Sequence, residues 1–473
     1  MSSLNPDPNH RPHRRSPLRS ILVVLALVVA AVVTLGVTRN PAPQLELVPS
    51  KPGIGRGGVE VRVDASEPSR GLARVTVELT QNDKTVPLGD KTYSARPFWA
   101  FWGARTATDS FTVGLDREAV KGLKEGPATL RATAERAGGL FGRGAPTTVQ
   151  IELPVLLRAP ALAVASSQHY AAQGGAGVVV YRVGATALAE GGRDGVRAGD
   201  WFFRGYPLPG GGPEDRFALY GVPYDASDAS GVKLVAADAL GNETTTPFVD
   251  QFIPRPMKTD DIEVDDGFLA RVVPAILAET PSLTDKGDLL ENYLQINRDL
   301  RKANNRTLVE LAAASKPEIL WRKTFQPMPN GQVMSAFADR RTYVYQGRNV
   351  DQQDHLGFDL ASVKQAPVPS ANDGVVVLAR YHGIYGNTVV VDHGAGVMSL
   401  YSHLSSLAVS EGQSVTRGQE VGRTGVTGLA GGDHLHFTML VGGLPVNPIE
   451  WWDAKWIRDR LVTKLGAALP FQD

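Results

Sequence analysis

Short runs of alternating or β-branched residues recur from residue 40 to about residue 256, and they predict β-sheets in that part of the chain. Clusters of Gly, Pro, Asp and Asn separate these runs, which are 57–65, 73–80, 128–135, 147–153, 177–183 and 232–242. Because successive side chains point to opposite faces of a strand, the pattern predicts half-buried strands joined by turns. Its spacing favours two immunoglobulin-like β-sandwich modules, residues 41–158 and residues 159–256. We therefore expect a mostly β protein.

An uncharged apolar run at residues 21–37, "ILVVLALVVAAVVTLGV", predicts a transmembrane helix. Four arginines lie within residues 1–20 and only Arg39 follows closely, so the positive-inside rule makes residues 1–20 a cytoplasmic tail. A cleaved signal peptide is the alternative, but the run exceeds the usual apolar region of about 7–15 residues in such peptides. The sequence favours an uncleaved anchor.

The composition excludes several classes of partner and site. The 49 basic and 49 acidic residues give a formal net charge of zero, which argues against nucleic acid as a partner. The chain has no cysteine, so disulfides and thiolate metal sites are excluded. Any metal must be held by His, Asp or Glu. With 473 residues the chain is also too long for one hydrophobic core.

Residues 257–316 have a helical period. Apolar residues recur at three- and four-residue steps, which predicts an amphipathic helix over residues 285–305: Leu289, Tyr293, Ile296 and Leu300. Thr284 or Asp285 is the expected start, and Asn304–Asn305 the expected stop before a shorter helix near residues 307–314. We interpret this segment as a packing linker, and whether it masks a site stays open.

Six of the nine histidines are concentrated near the C-terminus: His355, His382, His393, His403, His434 and His436. In an extended backbone, His355 and Asp359 share one face, and His434 and His436 share one face of another strand. Two imidazoles and a carboxylate, here His355, Asp359 and His436, suit a catalytic zinc that keeps one position for water. Imidazoles also titrate in the range needed to carry protons, and His434 and His403 are the candidates for that role.

Other conspicuous residues receive simpler interpretations. His393 ends an apolar strand, which favours a structural hydrogen bond, and His382 is expected on a surface loop. The glycines between 418 and 432 are turn residues, since no helix and no Lys-Ser/Thr pair completes a phosphate-binding loop. Tyr401, Asn387 and residues 338–348 are predicted to line a substrate groove because they adjoin the histidine motifs.

Residues 331–452 resemble the catalytic domain of the lysostaphin-type (LytM-like) zinc endopeptidases. The resemblance rests, in chain order, on "HLGFDLA" (355–361), "APVPSANDGVVVLA" (366–379), "YGNTVVVDHGAGVMSLYSHLS" (385–405), "EGQSVTRGQEVGRTGVTG" (411–428), "DHLHFTM" (433–439) and "GLPVNPIEWW" (443–452). It implies one Zn²⁺ ion held by His355, Asp359 and His436, and a catalytic pair formed by His403 and His434, of which either could be the base. The implied fold is a compact antiparallel β domain. Ala338 stands where many relatives have glycine.

The resemblance implies a membrane-anchored zinc endopeptidase that hydrolyses peptide cross-links of bacterial peptidoglycan. Residues 317–456 would form the endopeptidase domain, with residues 457–473 as a tail. Peptidoglycan peptide stems would be the substrate, on the outer side of the cytoplasmic membrane, and the bond that is cut stays open. The β modules would serve as a spacer or bind envelope proteins. The alternative function is a catalytically silent envelope protein that activates or scaffolds other wall hydrolases.

Overall fold

The computed structural model describes residues 24–31, 42–94, 103–115, 122–138 and 144–471. It divides into two compact units, Met1–Leu157 and Arg158–Asp473. The predicted cytoplasmic tail and most of the predicted transmembrane segment lie outside the described residues, and residues 24–31 are helical. Among the helices that the structure describes, none has the length and apolar character needed to cross a bilayer.

The first unit is a pair of antiparallel sheets over one apolar core. One sheet has the order β1-β2-β5 and the other β4-β3-β6-β7. Buried residues alternate along β2 and β3, as the period-two pattern predicted, because one face of each strand packs inward. The strands are β1 Gln44–Pro49, β2 Val59–Ser66, β3 Leu72–Gln81, β4 Lys84–Thr92, β5 Thr108–Leu115, β6 Gly126–Arg136 and β7 Thr147–Val155.

The second unit begins with two four-stranded sheets, β13-β14-β10-β8 and β12-β11-β15-β16, and a parallel pair, β17 with β9. A short helix, Ala185–Leu188, follows β10. The strands are β8 Leu162–Val164, β9 Tyr170–Ala172, β10 Ala176–Val183, β11 Arg193–Ala198, β12 Trp201–Arg204, β13 Tyr206–Pro207, β14 Asp215–Gly221, β15 Val232–Ala237, β16 Glu243–Pro247 and β17 Gln251–Ile253. The prediction of a mostly β chain is confirmed.

Residues 266–313, here called the helical segment, follow strand β18 (Thr259–Glu263). The segment consists of helix Asp266–Glu279, helix Leu289–Gln295, a π-helical turn Ile296–Leu300 and helix Arg301–Ala313. The side chain of Asp288 accepts a hydrogen bond from Glu291 N and caps the second helix. The cap predicted at Thr284 or Asp285 is therefore wrong.

The predicted helix stop at Asn304–Asn305 is also wrong, because the helix continues to Ala313. Both asparagine side chains bond to a neighbouring loop instead of ending the helix. Asn304 Oδ1 accepts from Ile384 N at 3.0 Å, and Asn305 Oδ1 accepts from the Tyr385 hydroxyl at 2.9 Å. Tertiary hydrogen bonds thus replaced the local side-chain-to-backbone bonds that make asparagine a helix terminator.

The C-terminal part is built on an eight-stranded sheet of order β19-β22-β30-β26-β25-β24-β28, with β31 paired to β30. Smaller sheets are β18-β20-β21, in which β18 runs parallel to β20, and β23-β29-β27. The strands are β19 Gln332–Ser335, β20 Asp339–Tyr345, β21 Arg348–His355, β22 Phe358–Ala361, β23 Pro367–Pro369, β24 Gly374–Tyr381, β25 Asn387–Gly394, β26 Val397–Leu404, β27 Ser406–Leu407, β28 Ser414–Val415, β29 Glu420–Arg423, β30 Leu435–Val441 and β31 Leu444–Val446.

One hydrophobic core extends from Ala171 to Leu469, so the predicted second module and the predicted endopeptidase domain share their interior. Residues 457–468, predicted as part of a tail, are helical and bury Ile457, Leu461 and Leu465 in that core. The remaining helices are 3-10 turn Gly383–Tyr385, helix Pro448–Trp452, helix Ala454–Trp456, π-helical turn Ile457–Val462, helix Thr463–Leu465 and 3-10 turn Gly466–Ala468.

Candidate metal centre

Adjacent strands bring the predicted site residues together. Asp359 on β22 lies directly opposite His436 on β30, and Ser402, which precedes His403 on β26, lies opposite His436 on its other side. His355 is the last residue of β21, and His434 comes just before β30. The five residues therefore converge from three segments of the sequence: the β21–β22 bend, the end of β26 and the start of β30.

The chain bends between His355 and Asp359 instead of continuing as one strand, contrary to the extended backbone assumed from the sequence. Gly357 occupies the bend. A Cβ atom there would lie 2.6 Å from two ring atoms of His436 and from Thr438 Oγ1. The absence of a side chain at this position therefore lets the His436 ring approach the bend and meet Asp359.

Hydrogen bonds fix which ring nitrogens carry protons. His355 Nδ1 lies 2.9 Å from the carbonyl oxygen of Ala336, so it donates and leaves Nε2 unprotonated in the neutral ring. The Thr438 hydroxyl donates to Leu356 O and accepts from His436 Nε2, each at 3.0 Å. Nδ1 of His436 is then the unprotonated nitrogen. Both unprotonated nitrogens point toward the same carboxylate.

Three lone-pair atoms thus meet at one point. His355 Nε2 and His436 Nδ1 lie 3.0 Å from each other, and each lies 3.0 Å from Asp359 Oδ1. Burial would raise the pKa of Asp359, but the surrounding imidazoles outweigh it and hold that pKa well below its usual range. Two neutral imidazoles and a carboxylate, all with unshared electron pairs directed inward, fit a cation, and the donor set is that of a catalytic zinc.

Arg341 on β20 orients the carboxylate. Its Nη2 donates to Asp359 Oδ2 at 2.8 Å, which leaves Oδ1 for the histidines. A carboxylate whose second oxygen is bonded in this way keeps its orientation toward the cation. The sequence had placed Arg341 only within a groove-lining stretch. Its pairing with Asp359 depends on how β20 packs beside β22, which periodicity does not show.

His434 and His403 lie beside the proposed ligands. His434 Nδ1 donates to Gly432 O and His403 Nδ1 donates to Thr427 O, each at 2.8 Å, so both Nε2 atoms are unprotonated in the neutral rings. The two ring centres are 4.9 Å apart, and His434 Nε2 lies 3.5 Å from Asp359 Oδ1. His403 has φ +62°, an uncommon conformation for a residue other than glycine.

Desolvation affects the two histidines differently. Burial lowers the pKa of His403 well below its usual range. Burial also opposes protonation of His434, but the charge of Asp359 and the hydrogen bond that its carboxylate would accept from the protonated ring outweigh burial, and the pKa of His434 is raised. Neighbouring titratable groups with opposite shifts are typical of proton-transfer sites.

The five residues line a cavity of about 230 Å³. Its other side comes from the helical segment and from β20, and includes Phe268, Tyr293, Arg301 and Tyr343. Arg271 of the helical segment donates to Ala430 O and Gly431 O on the loop before β30, so helix and loop are joined at the rim. The predicted linker is therefore part of the cavity wall.

His393 and His382 can now be compared with their predictions. His393 is fully buried, and its Nδ1 donates to Asp373 O at 2.7 Å, which is the structural bond that the sequence favoured. The prediction that His382 lies on the surface is wrong: it is 8% exposed, and its Nε2 donates to Asn304 O at 3.1 Å. The helical segment covers the loop that carries His382, and local sequence gave no sign of that cover.

The predicted groove residues are partly wrong. Tyr401 is buried in the core, where its hydroxyl accepts from Ala371 N at 2.6 Å, because it lies on the face of β26 that packs inward. Asn387 is not among the cavity-lining residues, whereas Arg341 and Tyr343 from residues 338–348 are. Ala338 adopts φ +66°, a conformation that glycine adopts without strain.

The fold and the centre together define a metallopeptidase domain. Residues 353–448 match the model of peptidase family M23, so the chain carries a domain of that family, the lysostaphin or LytM type. The chain is 39% identical over 132 residues to peptidoglycan DD-endopeptidase ShyA of Vibrio cholerae, which covers 27% of this chain and 30% of that protein.

Two further comparisons concern the same domain. The chain is 41% identical over 96 residues to DD-carboxypeptidase/endopeptidase Mpg of Neisseria meningitidis, covering 20% of this chain and 22% of that protein. It also matches the solved catalytic domain of lysostaphin from Staphylococcus simulans at 23% identity and a TM-score of 0.21, covering 30% of this chain and 96% of that one. The chain thus spans less than a third of the length of these curated relatives.

Proposed function

We propose that this protein is a zinc-dependent endopeptidase that hydrolyses the peptide cross-links of bacterial peptidoglycan. The observation that carries the proposal is the convergence of His355 Nε2, Asp359 Oδ1 and His436 Nδ1 within 3.0 Å of one another, with their protons held elsewhere. The substrate class is supported by the M23 match and by the names of the curated relatives, since ShyA is named a peptidoglycan DD-endopeptidase and Mpg a DD-carboxypeptidase/endopeptidase.

Each residue of the centre has a separate task in this proposal. His355, Asp359 and His436 hold the ion, and Arg341 keeps the carboxylate turned toward it. When bound, zinc polarises the scissile carbonyl and lowers the pKa of water from about 15.7 to near 7. The unprotonated Nε2 atoms of His434 and His403 are placed to accept a proton at the cavity and to return it to the departing amine.

The location of the enzyme is part of the proposal. Residues 21–37 would anchor the chain in the cytoplasmic membrane as a single helix, with all residues after 40 on the outer side, where peptidoglycan lies. This rests on the apolar run and the preceding arginines. The β modules would then act as a spacer and as contacts for envelope proteins.

Digestion of purified peptidoglycan by the full-length chain tests the function. We expect new peptide termini in the mass spectrum of the products, loss of activity after chelation, and recovery with stoichiometric zinc. His434→Gln should keep zinc but lose roughly 10²- to 10⁴-fold in rate, since it removes one proton carrier and no ligand. His382→Gln is the matched control, because His382 bonds to Asn304 O outside the ligand set.

A silent envelope protein would give the opposite result. If the zinc-loaded chain released no peptide from peptidoglycan or from a soluble cross-linked stem peptide, the enzymatic proposal would be wrong. If His434→Gln cleaved as fast as the unmodified chain, the role given to that imidazole would be wrong while the zinc site could stand.

A further inference from the structure

Two arginines line the cavity of the proposed metal centre. Arg301 comes from the helical segment and Arg341 from β20, and both line the cavity that also contains His434 and His403. Arg301 donates to Asn297, through Nε to the carbonyl oxygen and through Nη2 to Oδ1. Across the described ranges, no carboxylate lies within ion-pair distance of Arg301.

Two buried donors beside these arginines lack partners within the part of the chain that the structure describes. One is Arg341 Nε, whose guanidinium uses Nη2 for Asp359. The other is the hydroxyl of Tyr293, a residue with 0% exposure whose ring packs edge-on against Phe268 and Tyr343. A buried polar group without a partner is unfavourable, so two such groups on residues that line one cavity indicate an acceptor from outside the chain.

The Tyr293 hydroxyl keeps its proton in this environment. Burial raises the pKa of Tyr293 well above its usual range, Tyr343 and Asp351 add to the rise, and the charges of Arg301 and Arg341 oppose it. The phenol therefore stays protonated and able to donate. Apart from Asp359, the carboxylate that lines the cavity is Glu263, which is exposed at the end of β18. The buried carboxylate of Asp351 is paired with Arg298 and accepts from Asn297, so its charge is already partly balanced.

The geometry points to a carboxylate-binding subsite formed by Arg301, Tyr293 and Nε of Arg341. Charged and neutral donors that line one cavity bind a carboxylate better than an uncharged acceptor. The cavity is shared with the proposed metal centre, so the carboxylate must belong to the substrate, close to the bond that is cut.

This inference rests on the proposed function, and the chemistry of that substrate identifies the carboxylate. On the acyl side of a D-alanyl cross-link, the alanine carboxyl is already part of the scissile amide. On the amine side, the carbon that bears the scissile nitrogen also bears a free carboxylate, both in a cross-linked diaminopimelate and in a terminal D-alanine. The subsite would therefore bind the carboxylate of the residue whose amine is released.

The test compares two soluble cross-linked stem peptides that differ only in this carboxylate, free in one and amidated in the other. For the zinc-loaded full chain we expect kcat/KM to be about 10- to 100-fold higher for the free acid, the range for a hydrogen bond to a charged group. Arg301→Gln should bring the ratio close to one, mainly through KM for the free acid. Arg301→Lys should keep part of the preference.

Arg306→Ala is the matched control, because Arg306 is exposed on the same helix and does not line the cavity. It should keep the full preference. Zinc content and thermal unfolding of the Arg301 variants show whether the centre and the fold persist. Equal rates of the unmodified chain on the two peptides would overturn the inference, as would an undiminished preference in Arg301→Gln with zinc bound.

A third peptide, ending in D-alanyl-D-alanine, separates the two sources of the carboxylate. Release of free D-alanine with the same dependence on Arg301 assigns the subsite to a terminal carboxylate as well. If the chain cleaves without preference, only the subsite is wrong. If it cleaves nothing, the proposed function is wrong, and calorimetric binding of the free and amidated stem peptides, with and without Arg301→Gln, then decides the subsite.

Discussion

The proposed metal centre and the core around His393 both contain buried histidines, but these histidines have different roles. His436 is 7% exposed and His393 is 0% exposed, and burial lowers the pKa of each to about 4. His393 packs edge-on against Phe325, its Nδ1 donates to Asp373 O, and its Nε2 lies 2.7 Å from the hydroxyl of Ser399. Both of its ring nitrogens have protein partners.

In the proposed metal centre, by contrast, His436 Nδ1 faces another unprotonated nitrogen and a carboxylate oxygen. No proton in this arrangement can satisfy all three atoms at once, whereas one cation can. Burial and a lowered pKa therefore do not distinguish a metal-binding histidine from a core histidine. What distinguishes them is where the remaining lone pair points.

The largest expected effect comes from removing a ligand. His436→Ala should abolish stoichiometric zinc binding and lower peptidoglycan cleavage by roughly 10³-fold or more, because the metal supplies several kcal/mol of transition-state stabilisation. Zinc is measured by atomic absorption after gel filtration. A His436→Ala protein that retained one zinc per chain would show that His436 is not a required ligand, and the proposed difference between His436 and His393 would be wrong.

His393→Gln should leave zinc binding intact near neutral pH but change the response to acid. The folded-state pKa of about 4 lies below the unfolded value of about 6.5, so the unfolded chain binds the proton more readily. The contribution of the neutral His393 ring to the free energy of unfolding is fully present above pH 6.5, declines as the pH falls, and is lost by pH 4. This loss in the free energy of unfolding amounts to about 3 kcal/mol.

Urea unfolding of the metal-free chain at several pH values measures this contribution. The other buried histidines add to the slope in both proteins, so the difference between the unmodified chain and His393→Gln isolates His393. Identical slopes in the two proteins between pH 6.5 and pH 4 would contradict the structural role assigned to this ring.

The smallest expected effect concerns the residue that orients the ligand carboxylate. Arg341→Met removes the donor to Asp359 Oδ2, and loss of such a partner lowers metal affinity by about 10- to 100-fold. Removing a positive charge beside the ion acts in the other direction, so we expect about tenfold, the lower end of that range. Competition with a chelator gives the zinc dissociation constant.

Arg340→Met is the control, since Arg340 pairs with Asp354 away from the cavity and is 40% exposed. An unchanged zinc affinity in Arg341→Met would show that Asp359 is held by the sheet alone. The measured change in zinc affinity would show what a charged partner contributes to holding Asp359, whereas the ring of His393 is held by neutral partners.

Residues 355–361 and 433–439 show how much of the site the sequence could predict. Each motif is short, so local strand geometry is enough to place His355 with Asp359 and His434 with His436. The bend at Gly357 changed the backbone but not the outcome, since the glycine gives the His436 ring the room it needs. Alternation likewise predicted the strands of the first unit, where inward and outward residues differ in polarity.

Tyr293, Arg301 and His382 show where prediction from the sequence ends. The period of the helical segment indicated that Tyr293 is buried, but not that it lines the cavity of the metal centre. The sequence predicted that a helix ends at Asn304, but in the structure the Asn304 side chain accepts a hydrogen bond from Ile384 N in the loop that the helical segment covers. Periodicity reports which residues share a face, and says nothing of the surface against which that face packs.

The sequence by itself determined a mostly β chain, a helical segment and a set of two imidazoles and a carboxylate, because alternation and spacing are local properties. Tertiary structure alone decided which ring nitrogens are unprotonated, through Ala336 O and Thr438 Oγ1. It also decided that an arginine of the helical segment faces the same cavity. The physical reason is that proton positions and cavity walls depend on contacts between residues far apart in the chain.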